Sequence, residues 1–593
     1  MAKEILFTDL DRCFGPSSRI SAQGRKDKWR AVAYRTGNIQ GTMLSSLMEG
    51  APDDLTFDPQ LTGWYKIYVC IPTFPELEVQ LKLTGDKGFF EFAPLKTQGL
   101  TFTSLEESFW RYAKMDGQSI TLSKAAISQL HPITSILAWL RFVEMTEAEV
   151  DALMAERTRQ DTKRLYFTDD IHNKLAEGNP DTPNFWEGVV TPYEDSDVEW
   201  LSLERITSFI SGQCPDDDAE NFAFPRSCDR NVQQQRSKFD SKEILGRLVA
   251  LGHEMGMKMS LSLRMGAWGI GFPFDQCYFD FADYLAHPQY NCMMRDGVPA
   301  AAWSYAYEPV QQRVISMLLE MAASGCDAVT LIAHRGLPYV LYEQPVVDRF
   351  RALYGEDPRD LPLDEPRLNA LHCQIMTEFF RKLRKALDEA HPHRHVQIHL
   401  RSLISVYDNK YVGLDTEALA GEGLLDAIIA YPRRYREVYG PGCILPNGRV
   451  DMQAYKAWVN DPDVQPYLLK SDVAQTEDTR GVLQGPANVE DMVRQWMALE
   501  EQYGVKIYID IMPRVMPPED IRKRALELYD AGAKRIALWD TYGRVPCKAM
   551  WGTARKLGHI QELRQGFDPQ TKLYHLQELA GNNISRYLPI WGG

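Results

Sequence analysis

Two rhythms of apolar and polar residues divide the chain. In the first 150 residues the period is two: Trp64-Tyr-Lys-Ile-Tyr-Val-Cys-Ile and Glu78-Val-Gln-Leu-Lys-Leu-Thr-Gly alternate, with a turn at Gly85-Asp-Lys-Gly. Phe109-Trp-Arg-Tyr, Ser119-Ile-Thr-Leu and Ser135-Ile-Leu-Ala-Trp-Leu-Arg-Phe-Val continue the series. Short strands separated by turns predict an antiparallel β-sandwich over residues 1–150. The period then becomes helical from Thr146, with Thr146 as N-cap and Glu149 at the capping-box position, so a helix links this domain to the next.

Beyond the helix, apolar strands alternate with amphipathic helices, the pattern of a parallel sheet with crossover helices. Eight strands are predicted, beginning at Arg164, Val198, Lys258, Ala328, Val396, Leu425, Val505 and Arg535. Helices are predicted at Ser241–Met255, Val310–Ser324, Leu368–Ala390, Val489–Tyr503 and Pro518–Ala531. Eight such units predict an α/β fold, a (β/α)8 TIM barrel over residues 160–570. A tail, 571–593, is expected to pack on the body through Tyr587, Leu588, Ile590 and Trp591. A dinucleotide-binding fold is excluded because bulky Trp268 interrupts the glycines of Met265-Gly-Ala-Trp-Gly-Ile-Gly.

Composition narrows the partners. The 593 residues carry 66 Lys plus Arg against 81 Asp plus Glu, a formal charge of −15, which repels phosphate backbones and anionic lipid. Nucleic acid is therefore not an expected partner. No run of eighteen apolar residues predicts a membrane span, and no signal peptide is seen, so a cytoplasmic location is expected. The ten cysteines show no Cys-x-x-Cys and no zinc spacing, so reduced thiols, no metal and no cofactor are expected. Aromatic residues reach 11%, with 13 Trp and 27 Tyr, which suits a large core or sugar stacking in a cleft.

In a (β/α)8 barrel, substrate binds where the strands end. The predicted strand ends carry Asp169 and Asp170, Glu204 and Arg205, Arg264 with Trp268, His334 and Arg335 with Tyr342 and Glu343 in the next loop, His399 and Arg401, Tyr431 and Arg433, Asp510 and Arg514, and Trp539, Asp540 and Arg544. Carboxylates facing one another across an aromatic cleft are what glycosidic cleavage needs, one protonated as acid and one ionised as nucleophile or base. His391-Pro-His393-Arg-His395 has metal-ligand spacing but precedes the fifth strand, which puts it at the opposite end of the barrel.

The stretches Leu263-Arg-Met-Gly-Ala-Trp, Trp303-Ser-Tyr-Ala-Tyr-Glu-Pro-Val and His334-Arg-Gly-Leu-Pro-Tyr-Val-Leu-Tyr-Glu resemble the glycosyl-hydrolase-like family ten group. Asp510-Ile-Met-Pro-Arg-Val-Met-Pro-Pro-Glu and Leu538-Trp-Asp-Thr-Tyr-Gly-Arg resemble bacterial relatives that carry an N-terminal sandwich. The resemblance covers residues 160–565 and implies a (β/α)8 barrel with a carbohydrate-active role. One departure stands out. Members of the wider group read Leu-Asp-Tyr-x-Arg-Tyr-Pro at the end of strand four, where this chain has Ile332 in place of the Asp. Arg335 carries over; that carboxylate does not.

The function expected is hydrolysis of a glycosidic bond in a small or decorated sugar. Glu343 is expected as proton donor, Asp510 as nucleophile or base, and Asp540 as a further catalytic carboxylate. Glu204, Arg264, Trp268, His334, Arg335, Tyr342, His399, Arg401 and Trp539 are expected to hold the substrate. The partners expected are that carbohydrate or glycoside and, at most, further copies of the chain. Two alternatives stand beside this reading. One is a barrel that binds sugar without cleaving it. The other is a lyase or isomerase with His334 or Tyr342 as base and Arg264 or Arg401 holding a substrate carboxylate.

Overall fold

Eight parallel strands close into a barrel. They are β1 (Leu165–Asp170), β2 (Val198–Arg205), β3 (Lys258–Arg264), β4 (Ala328–Ile332), β5 (Gln397–Ser402), β6 (Ala427–Ala430), β7 (Lys506–Asp510) and β8 (Ile536–Trp539). The computed structural model describes residues 3–73, 77–94, 104–124, 134–170, 185–205, 242–266, 287–334, 337–362, 365–431, 489–511, 518–539, 550–566 and 571–583. The TIM barrel expected from the sequence is the fold observed, and each predicted strand falls on a barrel strand.

These strands are buried on both faces, so they read as apolar runs rather than clean alternations. Their inward positions still obey period two. Tyr166, Trp200, Ala328, Ala427, Ile429, Tyr508 and Ala537 form one inner cluster. Polar groups thread it: the Tyr166 hydroxyl meets Thr330 Oγ1 at 2.7 Å, and Ser260 Oγ meets the same atom at 2.6 Å. Outside, helices such as Glu308–Ala322 and Pro366–Ala390 seal the barrel with Val314, Leu318, Phe379 and Leu383. No helix among the described residues is long and apolar enough to cross a membrane.

The base of the barrel, where the strands begin, shows a repeated device. Asp327, just before β4, accepts the Met259 N–H of β3 at 2.8 Å and pairs with His253 Nε2 at 2.7 Å. Asp426, just before β6, accepts the Ile398 N–H of β5 at 2.8 Å and pairs with His395 Nε2 at 2.7 Å. Glu500 does the same for the Ile507 N–H of β7 at 3.1 Å, with Lys534 and Arg535 as its cations. In each case a carboxylate satisfies the second amide of an odd-numbered strand, a donor that the ladder leaves over. His395, from the histidine-rich stretch, thus belongs to the base.

The N-terminal domain consists of three almost wholly antiparallel sheets around one core that includes Trp29, Ile67, Leu81, Leu122 and Trp139. Thr146 caps the linking helix, Glu147–Thr158, and Glu149 completes the capping box. The chain returns to this domain at its far end. Thr571–His575 pairs with Ser104–Lys114, and Leu579 sits opposite Tyr34. Arg35 ties the return with 2.6 Å bonds to Gln577 and Glu578. Tyr587, Leu588, Ile590 and Trp591 lie outside the described residues. Contacts that join domain to barrel include Arg111, which bridges Asp86 (2.6 Å) and Glu194 (3.0 Å), the Lys87–Glu254 ion pair, and the Arg555 guanidinium, 4.9 Å from the Phe109 ring centre.

Candidate active site

The inward register carries polar residues to the mouth. On β2 it runs Trp200, Ser202, Glu204; on β5, His399 then Arg401; on β7, Tyr508 then Asp510; on β8, Ala537 then Trp539. Arg401 is the hub. Its fully buried guanidinium pairs with the equally buried Asp510 carboxylate, and its Nη1 donates to Thr168 Oγ1 at 2.8 Å. The guanidinium gives the buried Asp510 carboxylate an oppositely charged partner. The same guanidinium lies 4.5 Å from the ring centre of Trp539 and 5.5 Å from that of Tyr431. His334 joins these rings, stacked on Tyr431 at 3.9 Å and 23° and edge-on to Trp539 at 5.0 Å. Two strands round, the Arg264 guanidinium pairs with Glu204, whose side chain is fully buried.

The structure therefore brings together Glu204 with Arg264, and Arg401, Asp510, His334 and Trp539 with Tyr431. Thr168, which no strand-end argument singles out, belongs with them; its only sequence signal is its inward register two residues beyond Tyr166.

Other candidates stand apart. His399 sits one layer below Arg401 in the barrel interior, with Nδ1 at 3.1 Å from the Tyr166 hydroxyl and Nε2 at 2.9 Å from Gln397 Oε1. Burial, helped by Lys506 and Lys258, pushes its pKa down to about 3, so it is a neutral core imidazole. Glu343 is the N-cap residue of the helix Gln344–Tyr354, beyond β4. Its carboxylate accepts the Leu341 N–H at 2.9 and 3.0 Å and the Met293 N–H at 3.1 Å. Burial raises its pKa to about 7 against the pull of those amides and of Cys292. That protonation behaviour suits an acid, but the oxygens are spent on holding the loop to the hairpin Asn291–Met293 and Pro299–Trp303. Tyr342 is bound into the same seam, its N–H donating to Met293 O at 3.0 Å. Asp169 faces outward and accepts the Tyr193 hydroxyl at 3.2 Å. Trp268, Arg335 and Asp540 lie outside the described residues.

No family model matches the chain. No curated protein matches it. Among solved structures, the chain is similar to the PgaB (BpsB) glycoside hydrolase domain from Bordetella bronchiseptica, at 10% identity and a TM-score of 0.39, over 66% of this chain and 98% of that one. It is also similar to the catalytic domain of a β-amylase from Paenibacillus polymyxa, at 9% identity and a TM-score of 0.39, over 68% and 99%. A third, the α-galactosidase TtGalA from Thermus thermophilus, matches at 10% identity and a TM-score of 0.32, over 94% and 99%.

Proposed function

We propose that this chain is a carbohydrate-active enzyme of the glycoside-hydrolase kind, working at the barrel mouth on a small or decorated sugar. The observation that carries the reading is the Arg401–Asp510 pair at the strand ends beneath Trp539 and Tyr431. It combines an anionic carboxylate with aromatic rings, the two elements that glycosidic cleavage and sugar binding call for. Asp510 is the nucleophile or base of this proposal. Asp540, directly after Trp539 in sequence, is the acid that protonates the departing oxygen, in preference to the amide-bound Glu343. Trp268 and Arg335 are assigned to substrate binding from sequence, and the kinship with the family ten group belongs to this proposal too.

The test is a screen of the purified protein against natural glycosides, read by mass spectrometry. Asp510→Asn and Asp540→Asn should each lower turnover by orders of magnitude with folding retained. Near-wild-type turnover in both removes the pair from the mechanism.

A second reading, a sugar-binding barrel without catalysis, is favoured by two features. Glu204 and Asp510, the described carboxylates of the mouth, each face an arginine, and Ile332 occupies the strand-four position. It expects oligosaccharide binding with no product. For the lyase or isomerase alternative, a substrate carboxylate has to displace Glu204 from Arg264 or Asp510 from Arg401.

A further inference from the structure

His559 lies at the opposite end of the barrel from the mouth, buried between two carboxylates on different parts of the chain. Its Nδ1 is 2.6 Å from Asp197 Oδ2, on the residue before β2. Its Nε2 meets Glu156 Oε1, in the last turn of the linking helix. Asp197 Oδ2 also accepts the Gly558 N–H at 2.8 Å, and Gly558 has no room for a Cβ against Asp197 and the Thr162 carbonyl.

Ionised carboxylates only accept hydrogen bonds, whereas a neutral imidazole has one N–H and one lone pair. A neutral ring here would point its lone pair at an anionic oxygen. Both contacts are satisfied together only when both nitrogens carry protons. A metal ion fits less well, although the donor atoms lie within 4.8 Å of one another, because the carboxylates sit on opposite ring nitrogens and an ion bound to either nitrogen reaches one of them.

We propose that His559 is a proton-operated latch: as imidazolium it seats the end of the linking helix on the barrel base, and loss of its proton releases that seat. The helix is also held to the β-domain, by the Lys66–Glu149 ion pair at 2.7 Å and by Arg157 over Trp64 at 5.4 Å. The latch therefore governs how firmly the two domains are joined.

The surrounding charges do not replace the proton. From the helix, Arg157 is taken by Asp195 at 2.6 Å. Arg159 is shared among Glu156 (3.0 Å), Asp161 (2.9 Å) and Glu562 (3.3 Å). Lys163, from the connector to β1, donates to the Ser196 carbonyl, Arg555 lies against Phe109, and the Tyr529 hydroxyl donates to the Leu557 carbonyl at 3.0 Å. Lys163 and Arg555 feel the charge of Asp197 through space, but their described contacts are with these other groups. Burial pulls the His559 pKa down, but Asp197 and Glu156 outweigh it and the net shift is upward from 6.5. The latch's contribution is thus fully present below about pH 6.5 and is lost as pH rises through the higher folded-state value.

The test is hydrogen-exchange protection of residues 147–158 in the full-length chain between about pH 6 and pH 9, expressed relative to unstructured rates. Wild type should lose protection several-fold as pH rises. Glu156→Gln should hold its protection level, because an amide donates to the neutral ring that wild-type Glu156 repels. A flat wild-type profile, or a Glu156→Gln profile that falls like wild type, overturns the latch. Nitrogen-15 histidine spectra of the wild type supply a check that needs no stable Glu156 variant. The His559 signal, assigned by its absence from His559→Gln, should report two protonated nitrogens at about pH 6.5; a single one overturns the proposal.

Discussion

The two ends of the barrel are built from the same residue types and use them in opposite ways. At the base, Asp327, Asp426 and Glu500 each take a strand-start amide as well as a cationic or imidazole partner, so their charge is anchored to the backbone. At the mouth, the contacts described for Asp510 and Glu204 are to side chains, Arg401 and Arg264. A carboxylate bonded to main chain cannot change partner without opening a strand end. One bonded to a side chain can exchange that partner for a ligand. The contrast separates carboxylates that hold strand starts in place from carboxylates whose described partners are side chains at the strand ends.

The hardest test of that contrast is Arg401→Met. It leaves Asp510 as a buried, uncompensated charge and should cost about 3–5 kcal/mol in denaturant unfolding. The double variant with Asp510→Leu should recover most of the loss, since both charges then leave the interior together. A single-variant loss under about 1 kcal/mol would mean that water or another cation already serves Asp510, and the distinction between the ends would fail.

Glu343 sharpens the comparison, because it lies beyond the mouth end of β4 yet is held by amides as the base carboxylates are. Its folded pKa of about 7 stands above its ordinary 4.5, so the folded chain keeps the proton that the unfolded chain loses first. Stability from this group is complete below about pH 4.5 and falls as pH rises to about 7, by roughly 3 kcal/mol in all. Unfolding free energies of wild type and Glu343→Gln across that range should diverge in slope. Parallel curves would show that the carboxyl ionises normally.

The smallest effects belong to the base. Asp327→Ala and Asp426→Ala each leave a strand-start N–H and a histidine without their acceptor, at about 1–3 kcal/mol. Turnover or ligand binding at the mouth should not change. A loss of ligand affinity in either folded variant would show that the two ends are coupled.

What was readable in the sequence follows the range of each force. The eight strands were legible because burial on both faces writes itself locally as short apolar runs, and Thr146 and Glu149 announced the helix start in four residues. The mouth was half legible. Period two places Glu204, Arg264, Arg401, Asp510 and Trp539 at inward strand ends, but nothing local couples Arg401 to Asp510 two strands away. Nor could spacing tell Arg401 from His399, two residues earlier on the same face and one layer too deep. Glu343 was expected as proton donor, and the burial that raises its pKa is there. Its amide partner at Met293 comes from a hairpin fifty residues upstream, for which the sequence carried no signal. The base carboxylates escaped notice because each is a lone Asp or Glu whose partners arrive from other strands and helices.

The return of the chain to its first domain has a consequence for biosynthesis. Arg35 waits for a partner 542 residues further on. At about 5–20 residues per second, that is roughly half a minute to two minutes on the ribosome. Through that interval the flanks of Trp29–Thr36 and Ser104–Lys114, later covered by Glu578–Leu579 and Thr571–His575, present open backbone. The first domain to emerge is thus the last to be finished, and the nascent chain carries two open sheet edges while the whole barrel is made.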